Sequence, residues 1–242
     1  MAKLTKEEAK KHIKAMDLVK SDKPLTFDEK LFVLENYQES RGGENSFAGA
    51  FFTPWELAAD TSIEMQGGNV IDLCAGAGAL SLACLYRHEV KNLVCVELNP
   101  EYLEVGQRVV PEATWLQGDV FEVCAMLGGG FDLAISNPPF GAIKTSNNFV
   151  GKYTGGEFDL KVVEAAGTVA RRGVFILPQM STPFKYSGNR NFEHSHSNKY
   201  SKFANQTGLE FEFNCGIDTG MYRSRWHGVS PLCEIVLVEY PL

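Results

Sequence analysis

Short apolar runs recur along the middle of the chain, each separated from the next by a longer stretch of mixed polarity. Asn69 to Leu73, Leu93 to Val96, Thr114 to Leu116, Phe131 to Ser136 and Gly173 to Leu177 have the length and β-branched or aromatic content of buried strands. The stretches between them, including 101–110 and 158–170, carry apolar residues at helical spacing. Glu210 to Phe213 and Glu234 to Val238 read as two closing strands. Strand and helix thus alternate five times before two final strands, which predicts an α/β fold. Its sheet would be mainly parallel, about seven-stranded, with helices on both faces.

Ahead of this pattern, residues 5–20 place Ile13, Met16, Leu18 and Val19 among Lys and Glu, and 27–38 place Phe27, Leu31, Phe32 and Leu34 similarly. Two helices broken at Asp22-Lys23-Pro24 make residues 1–47 a helical arm, packed on the domain or on a second subunit. Gly42 to Ser46 is a flexible connection, and 48–242 is the main domain. In Phe51-Phe52-Thr53-Pro54-Trp55-Glu56, Thr53 is a good N-cap with Pro54 at the first helical position, predicting a helix to about Met65.

A net charge of −7 argues against a uniformly basic nucleic-acid binder, though not against a local basic face. No apolar run approaches the ~20 residues that span a bilayer, and the first residues lack an apolar signal core. A cytoplasmic location is therefore expected. The six cysteines contain no C-x-x-C pair and read as reduced core residues, so neither a structural metal nor a disulfide frame is expected.

Candidate chemistry gathers where strands end. The run Phe131 to Ser136 stops at Asn137-Pro138-Pro139-Phe140, where two prolines end ladder bonding and leave an amide and an aromatic ring on a stiff turn. An Asn oxygen joined by the Pro138 carbonyl can accept both hydrogens of an exocyclic amine while the Phe140 ring stacks on the base. Pro-Pro ending a strand, with Phe140 filling the core, is the plainer reading. Asp72 precedes Cys74-Ala75-Gly76-Ala77-Gly78, a strand, glycine turn and helix start suited to close approach of a nucleotide-like ligand. A carboxylate there repels a pyrophosphate and attracts an ammonium group. Ser81 replaces the third glycine of the dinucleotide pattern, which also favours a ligand with a cationic amino-acid end over NAD. Glu97 reads either as a ribose ligand or as a helix-start carboxylate ahead of Pro100. Asp119 reads either as a helix cap or as an acceptor for an adenine amine, with Val120 or Phe121 covering the ring. These residues all fall at strand ends and should share one cleft.

Taken in order, Phe51-Phe52-Thr53-Pro54, Asp72 to Gly78, Glu97 and Asn137-Pro138-Pro139-Phe140 resemble the S-adenosylmethionine-dependent DNA adenine-N6 methyltransferases over about residues 48–180, in the gamma-type motif order. The resemblance implies a Rossmann-like methyltransferase fold and S-adenosylmethionine as cofactor. It implies that Phe52 packs on the cofactor and Thr53 binds its carboxylate, while Asp72 holds the amine, Glu97 the ribose and Asp119 the adenine amine. Pro54, Cys74, Ala75, Gly76, Gly78, Leu98, Val120, Phe121 and Asn137 complete the implied cofactor set. Asn137, Pro138, Pro139 and Phe140 would hold a flipped adenine for direct methyl transfer, with no metal.

No long C-terminal recognition domain is expected, so recognition of double-stranded DNA is assigned to loops at about 141–157, 181–206 and 218–229. The contact residues expected there are Lys144, Lys185, Tyr186, Arg190, Asn191, Lys199, Arg223 and Arg225. Four Lys/Arg against one Glu give 181–206 a local charge of +3. So small a surface also makes a homodimer an expectation. RNA adenine methyltransferases carry a very similar Asn-Pro-Pro-Phe-Gly run, which with Gly141 makes them the strongest alternative, and a non-catalytic DNA-binding regulator on the same fold is a further one.

Overall fold

The computed structural model describes residues 5–38, 51–143, 148–195, 197–213, 215–227 and 229–241. The arm forms α1 (Lys6–Lys20) and α2 (Phe27–Asn36). Each opens on a reciprocal capping box, Thr5 with Glu8 and Thr26 with Glu29, which satisfies backbone N–H groups otherwise left bare at a helix start. Their apolar faces (Ala15, Val19, Val33, Leu34) merge with the main core. The Arg108 guanidinium fastens the link between them by donating to the carbonyls of Val19, Ser21 and Lys23 at 3.1, 2.7 and 2.6 Å. The arm is packed on its own domain.

The domain runs α3 (Trp55–Thr61), β1 (Gly68–Leu73), α4 (Ala79–Arg87), β2 (Val90–Glu97), α5 (Pro100–Val109), β3 (Thr114–Gln117), α6 (Val120–Leu127) and β4 (Phe131–Ser136). It continues with α7 (Phe158–Ala166), β5 (Ala170–Pro178), the two-residue strands β6 (Phe184–Lys185) and β7 (Glu193–His194), α8 (Asn198–Thr207) and β8 (Cys233–Glu239). The main sheet has the order β3-β2-β1-β4-β5-β8, all parallel except β8, which pairs antiparallel with β5. This is a Rossmann-like sheet whose order reverses between β1 and β4. Its strands bury both faces. Val70, Leu133, Ile135, Val174 and Ile176 join the cluster beneath the arm, while Ile71, Leu73, Ala134, Phe175 and Leu177 join the opposite one. Alternate side chains point to opposite faces, so an unbroken apolar strand needs helices on both sides.

Three expectations are corrected. The main sheet has six strands, not seven: Glu210 to Phe213 meets β8 only through a Glu212–Leu237 bridge. The rings of Phe211 and Phe213 turn instead into aromatic clusters with Tyr200, Phe203, Phe184 and Phe192. The helix expected over 158–170 ends at Ala166 with Gly167 as its C-cap, and β5 already begins at Ala170. Residues 181–206 are not a loop but a two-stranded hairpin followed by most of α8, whose start Ser197 caps.

Glu234 on β8 is 1% exposed and is met by neutral donors. Its carboxylate accepts from Gln179 Nε2 (2.7 Å), Tyr186 N (2.8 Å), Ser187 N (3.0 Å) and Ser187 Oγ (3.0 Å), tying the hairpin to the sheet. Glu234→Ala leaves these buried donors without an acceptor. We expect a loss of about 3 kcal/mol in urea unfolding. A change below about 0.5 kcal/mol, the usual size for an uninvolved surface position, would contradict this role.

Candidate active site

Because all parallel strands end on one side, the order reversal between β1 and β4 opens a crevice there. Two adjoining cavities occupy it. The smaller, about 30 Å³, is lined by Phe51, Phe52, Thr53, Asp72, Ala77 and Asn137 among others. The larger, about 180 Å³, is lined by Glu97, Leu98, Asn99, Tyr102, Asp119, Val120, Pro139, Ile143 and Phe158 among others. Phe52, Cys74, Gly76 and Asn137 line both.

The turn after β1 is built for close approach. Cys74, Gly76 and Gly78 all take positive φ (60°, 56° and 85°), which strains the non-glycine Cys74. A Cβ on Gly76 would stand 3.0 Å from the Phe52 ring, so the ring rests on this glycine. Gly76 N donates to Glu97 Oε2 at 2.8 Å, and Asn99 N donates to Glu97 Oε1 at 2.8 Å. Glu97 therefore braces the turn while facing the larger cavity. Burial raises its carboxyl pKa above the ordinary value, opposed by those backbone N–H groups. Ser81, seen in the sequence only as a missing glycine, donates its hydroxyl to Asp72 Oδ2 at 2.6 Å.

Two buried acceptors at the smaller cavity have no partner: Asp72 Oδ1 and Asn137 Oδ1. Burial, outweighing the Ser81 hydroxyl, pushes the Asp72 carboxyl up to about 7, and negative Glu97 adds to the shift. Asn137 Nδ2 donates to Phe51 O and Thr53 Oγ1, both at 3.0 Å. Since a carbonyl can only accept, Phe51 decides which way the amide faces and leaves Oδ1 as the acceptor. Behind the motif, Gly141 (φ 82°) donates its N–H to the buried Asp159 Oδ1 at 3.0 Å and accepts from Phe158 N at 2.8 Å. This clips the turn to the start of α7.

Several expected roles change. Thr53 does not cap α3; Pro54 occupies that position, and the Thr53 hydroxyl serves Asn137. Asp119 does cap α6, accepting from Phe121 N at 2.9 Å, and also lines the larger cavity. Phe121 lines neither cavity and packs on Phe149 and Phe158. Ala75 and Gly78 shape the turn, and of the two only Ala75 lines a cavity. Pro138 is buried, and the half-buried Phe140 packs against the core and lines neither cavity.

Of the expected nucleic-acid contacts, Lys144 lies outside the described residues. Lys185, Arg190 and Asn191 are exposed on the hairpin, and Tyr186 packs on Phe213. Lys199 pairs with Glu157 at 3.1 Å, Arg225 with Glu56 at 3.2 Å, and Arg223 donates to Ser230 Oγ at 3.1 Å. Intramolecular partners thus occupy these three. Tyr102, Ile143 and Phe158 line the larger cavity and were missed because each reaches it only through tertiary packing, as were the bonds of Ser81 to Asp72 and of Gly141 to Asp159.

Residues 57–153 match the family model described as Methyltransferase small domain. The match spans less than half of the chain and points to S-adenosylmethionine as the cofactor. It is 30% identical over 132 residues to the rRNA N(6)-adenosine-methyltransferase metl-5 of Caenorhabditis elegans, covering 51% of this chain and 57% of that protein. It is 32% identical over 96 residues to the release factor glutamine methyltransferase of Corynebacterium glutamicum, covering 35% and 34%. The curated relatives are matched over 16% to 57% of their own lengths. The Pyrococcus horikoshii protein PH1948 shares the fold, with a TM-score of 0.53 at 17% identity over 81% of this chain and 90% of that one.

The residues present fit this cofactor. The orphaned Asp72 oxygen in the smaller cavity suits an ammonium group, and the larger cavity offers Glu97 and Asp119 beside apolar walls to a nucleoside. Among the described residues no group of His, Cys, Asp and Glu is arranged to hold a metal, and no helix is long and apolar enough to cross a membrane.

The sign of the Asp72 shift sets two pH dependences. Its folded pKa, about 7, lies above the ordinary value of 3.8, so the folded protein holds the extra proton between those limits. Stability of the free protein therefore falls as pH rises through that window. Pairing with a cation requires the ionised form, so cofactor affinity weakens as pH drops below about 7. We expect the calorimetric dissociation constant to rise up to about tenfold from about pH 8 to about pH 6, with proton release on binding at the lower pH. Asp72→Asn should weaken binding about 10- to 100-fold and flatten the profile. A flat wild-type profile would contradict the role.

Proposed function

We propose that the domain methylates the N6 amine of an adenine in duplex DNA. The observation that carries this reading is the buried, unpartnered Asn137 Oδ1, whose direction Phe51 O and Thr53 Oγ1 hold from behind. An exocyclic amine donating to this oxygen has its hydrogens turned toward the motif and its lone pair turned away. The Pro138 carbonyl is the second acceptor in this reading, and Phe140, half-exposed on the same turn, is the ring for the everted base. The target must leave the duplex to arrive there, exchanging base stacking for aromatic contact.

When bound, S-adenosylmethionine supplies an electrophilic methyl group. Phe52, Asp72, Glu97 and Asp119 hold it. The rest of the rate comes from alignment and from dipoles already oriented around the forming charge, since Asn137 pays no reorganisation at the moment of transfer. At Cys74, burial and the nearby carboxylates raise the thiol pKa well above the ordinary value, which disfavours the thiolate.

A second reading, adenine-N6 transfer to structured RNA, is favoured by the similarity to metl-5. Nucleoside mass spectrometry after incubation with duplex DNA and with folded RNA separates the two. We expect N6-methyl-2′-deoxyadenosine; N6-methyladenosine would move the proposal to RNA, and methyl groups on guanine or on protein glutamine would end it. Asn137→Ala should lower turnover about 10²- to 10³-fold while leaving cofactor affinity within about fivefold. Turnover unchanged in that variant would remove Asn137 from the mechanism.

A further inference from the structure

Among the described residues, the N-terminal arm reaches the cofactor site through the Tyr37 ring. Tyr37, the C-cap of α2, is 5% exposed and stacks on Phe52 with centroids 5.7 Å apart and planes 27° apart. Tyr102 meets both rings edge-on, at 6.4 Å from Tyr37 and 4.8 Å from Phe52. Phe52 lies against Gly76, so its ring is enclosed by Tyr37, Tyr102 and the glycine turn. Tyr37 itself is held from the arm side. Its N–H donates to Val33 O at 2.8 Å, the His12 ring lies 5.4 Å from it, and Gln38 N donates to His12 Nδ1 at 3.0 Å.

We propose that Tyr37 is a positioning residue for the cofactor: it holds Phe52 over Gly76 at the junction of the two cavities, so that arm docking and S-adenosylmethionine binding are one linked equilibrium. A Phe side chain turns about two bonds, and beyond Gly76 the rings of Tyr37 and Tyr102 limit this one among the described residues. Tyr102 is fixed on α5, which belongs to the domain. Tyr37 comes from the arm, so release of the arm frees one side of Phe52. By linkage, whatever orders Phe52 also favours the docked arm, and the two effects must be equal in free energy. The inference rests on the assignment of this crevice to S-adenosylmethionine.

Calorimetric titration of the full chain with S-adenosylmethionine tests it, with Tyr37→Ala, Tyr37→Leu and Tyr37→Phe compared with wild type. Loss of the ring should raise the dissociation constant about tenfold, equivalent to ~1.4 kcal/mol, in both the Ala and Leu variants. Phe keeps the stack and should bind within about threefold. Leu fills the buried site, so the comparison stands if Ala fails to fold. In wild type, hydrogen exchange over α1 and α2 should slow when cofactor is added, and this protection should vanish in Tyr37→Leu. A Leu variant binding as tightly as wild type, or arm exchange indifferent to cofactor, would overturn the proposal. Wild type that binds no S-adenosylmethionine would overturn the cofactor assignment beneath it.

Discussion

Two hydrogen bonds from one amide organise this molecule. Asn137 Nδ2 donates to Phe51 O and to Thr53 Oγ1, across 86 and 84 residues of chain. The bonds join the segment before α3 to the turn after β4, and so close the crevice between the two walls of the site. They also settle the polarity of the amide, because a backbone carbonyl accepts and never donates. The oxygen left over is buried beside the cavities with no partner, a costly state for a group that water would otherwise solvate. Such a cost is tolerated where a ligand repays it.

The acidic groups of the crevice divide their work by how many donors reach them. Both Glu97 oxygens already hold backbone N–H groups, so this carboxylate fixes the glycine turn before it meets any ligand. Asp72 draws its donors from Ser81, whose hydroxyl and backbone N–H both reach it, and burial still drives it toward the protonated form. A cation arriving at the other oxygen finds a strong, poorly compensated acceptor. Far from the crevice, Glu234 shows the contrasting design: a buried carboxylate with donors on every side, used to hold a hairpin in place. The same residue type serves as ligand group or as fastener according to its neighbours.

The parallel sheet and the strand-end positions of Asp72, Glu97, Asp119 and Asn137 were legible because they depend on local patterns. A buried strand, a glycine turn and a helix start leave few alternatives over a dozen residues. What was not legible depends on distant partners. Thr53 has every local mark of an N-cap, yet its hydroxyl is claimed by an amide 84 residues away. Glu210 to Phe213 alternates like a strand, but pairing is a non-local event, and packing of Phe211 and Phe213 with other rings left a single bridge. Asp159 grips Gly141 from the first turn of a helix, with no mark in the sequence beyond an acidic residue near a helix start. Tyr37 looked like the end of an ordinary amphipathic helix, and its contact with Phe52 emerged only once the arm was seen folded on the domain.

A crystal structure of the chain with S-adenosylmethionine bound tests the central claim most directly. The account predicts the methionine amine within about 2.7–3.2 Å of Asp72 Oδ1, the ribose hydroxyls at Glu97, and the sulfonium facing the side of the cavity that Asn137 lines. Cofactor seated outside the β1–β4 crevice, or an Asn137 amide turned so that its nitrogen faces the cavity, would contradict it.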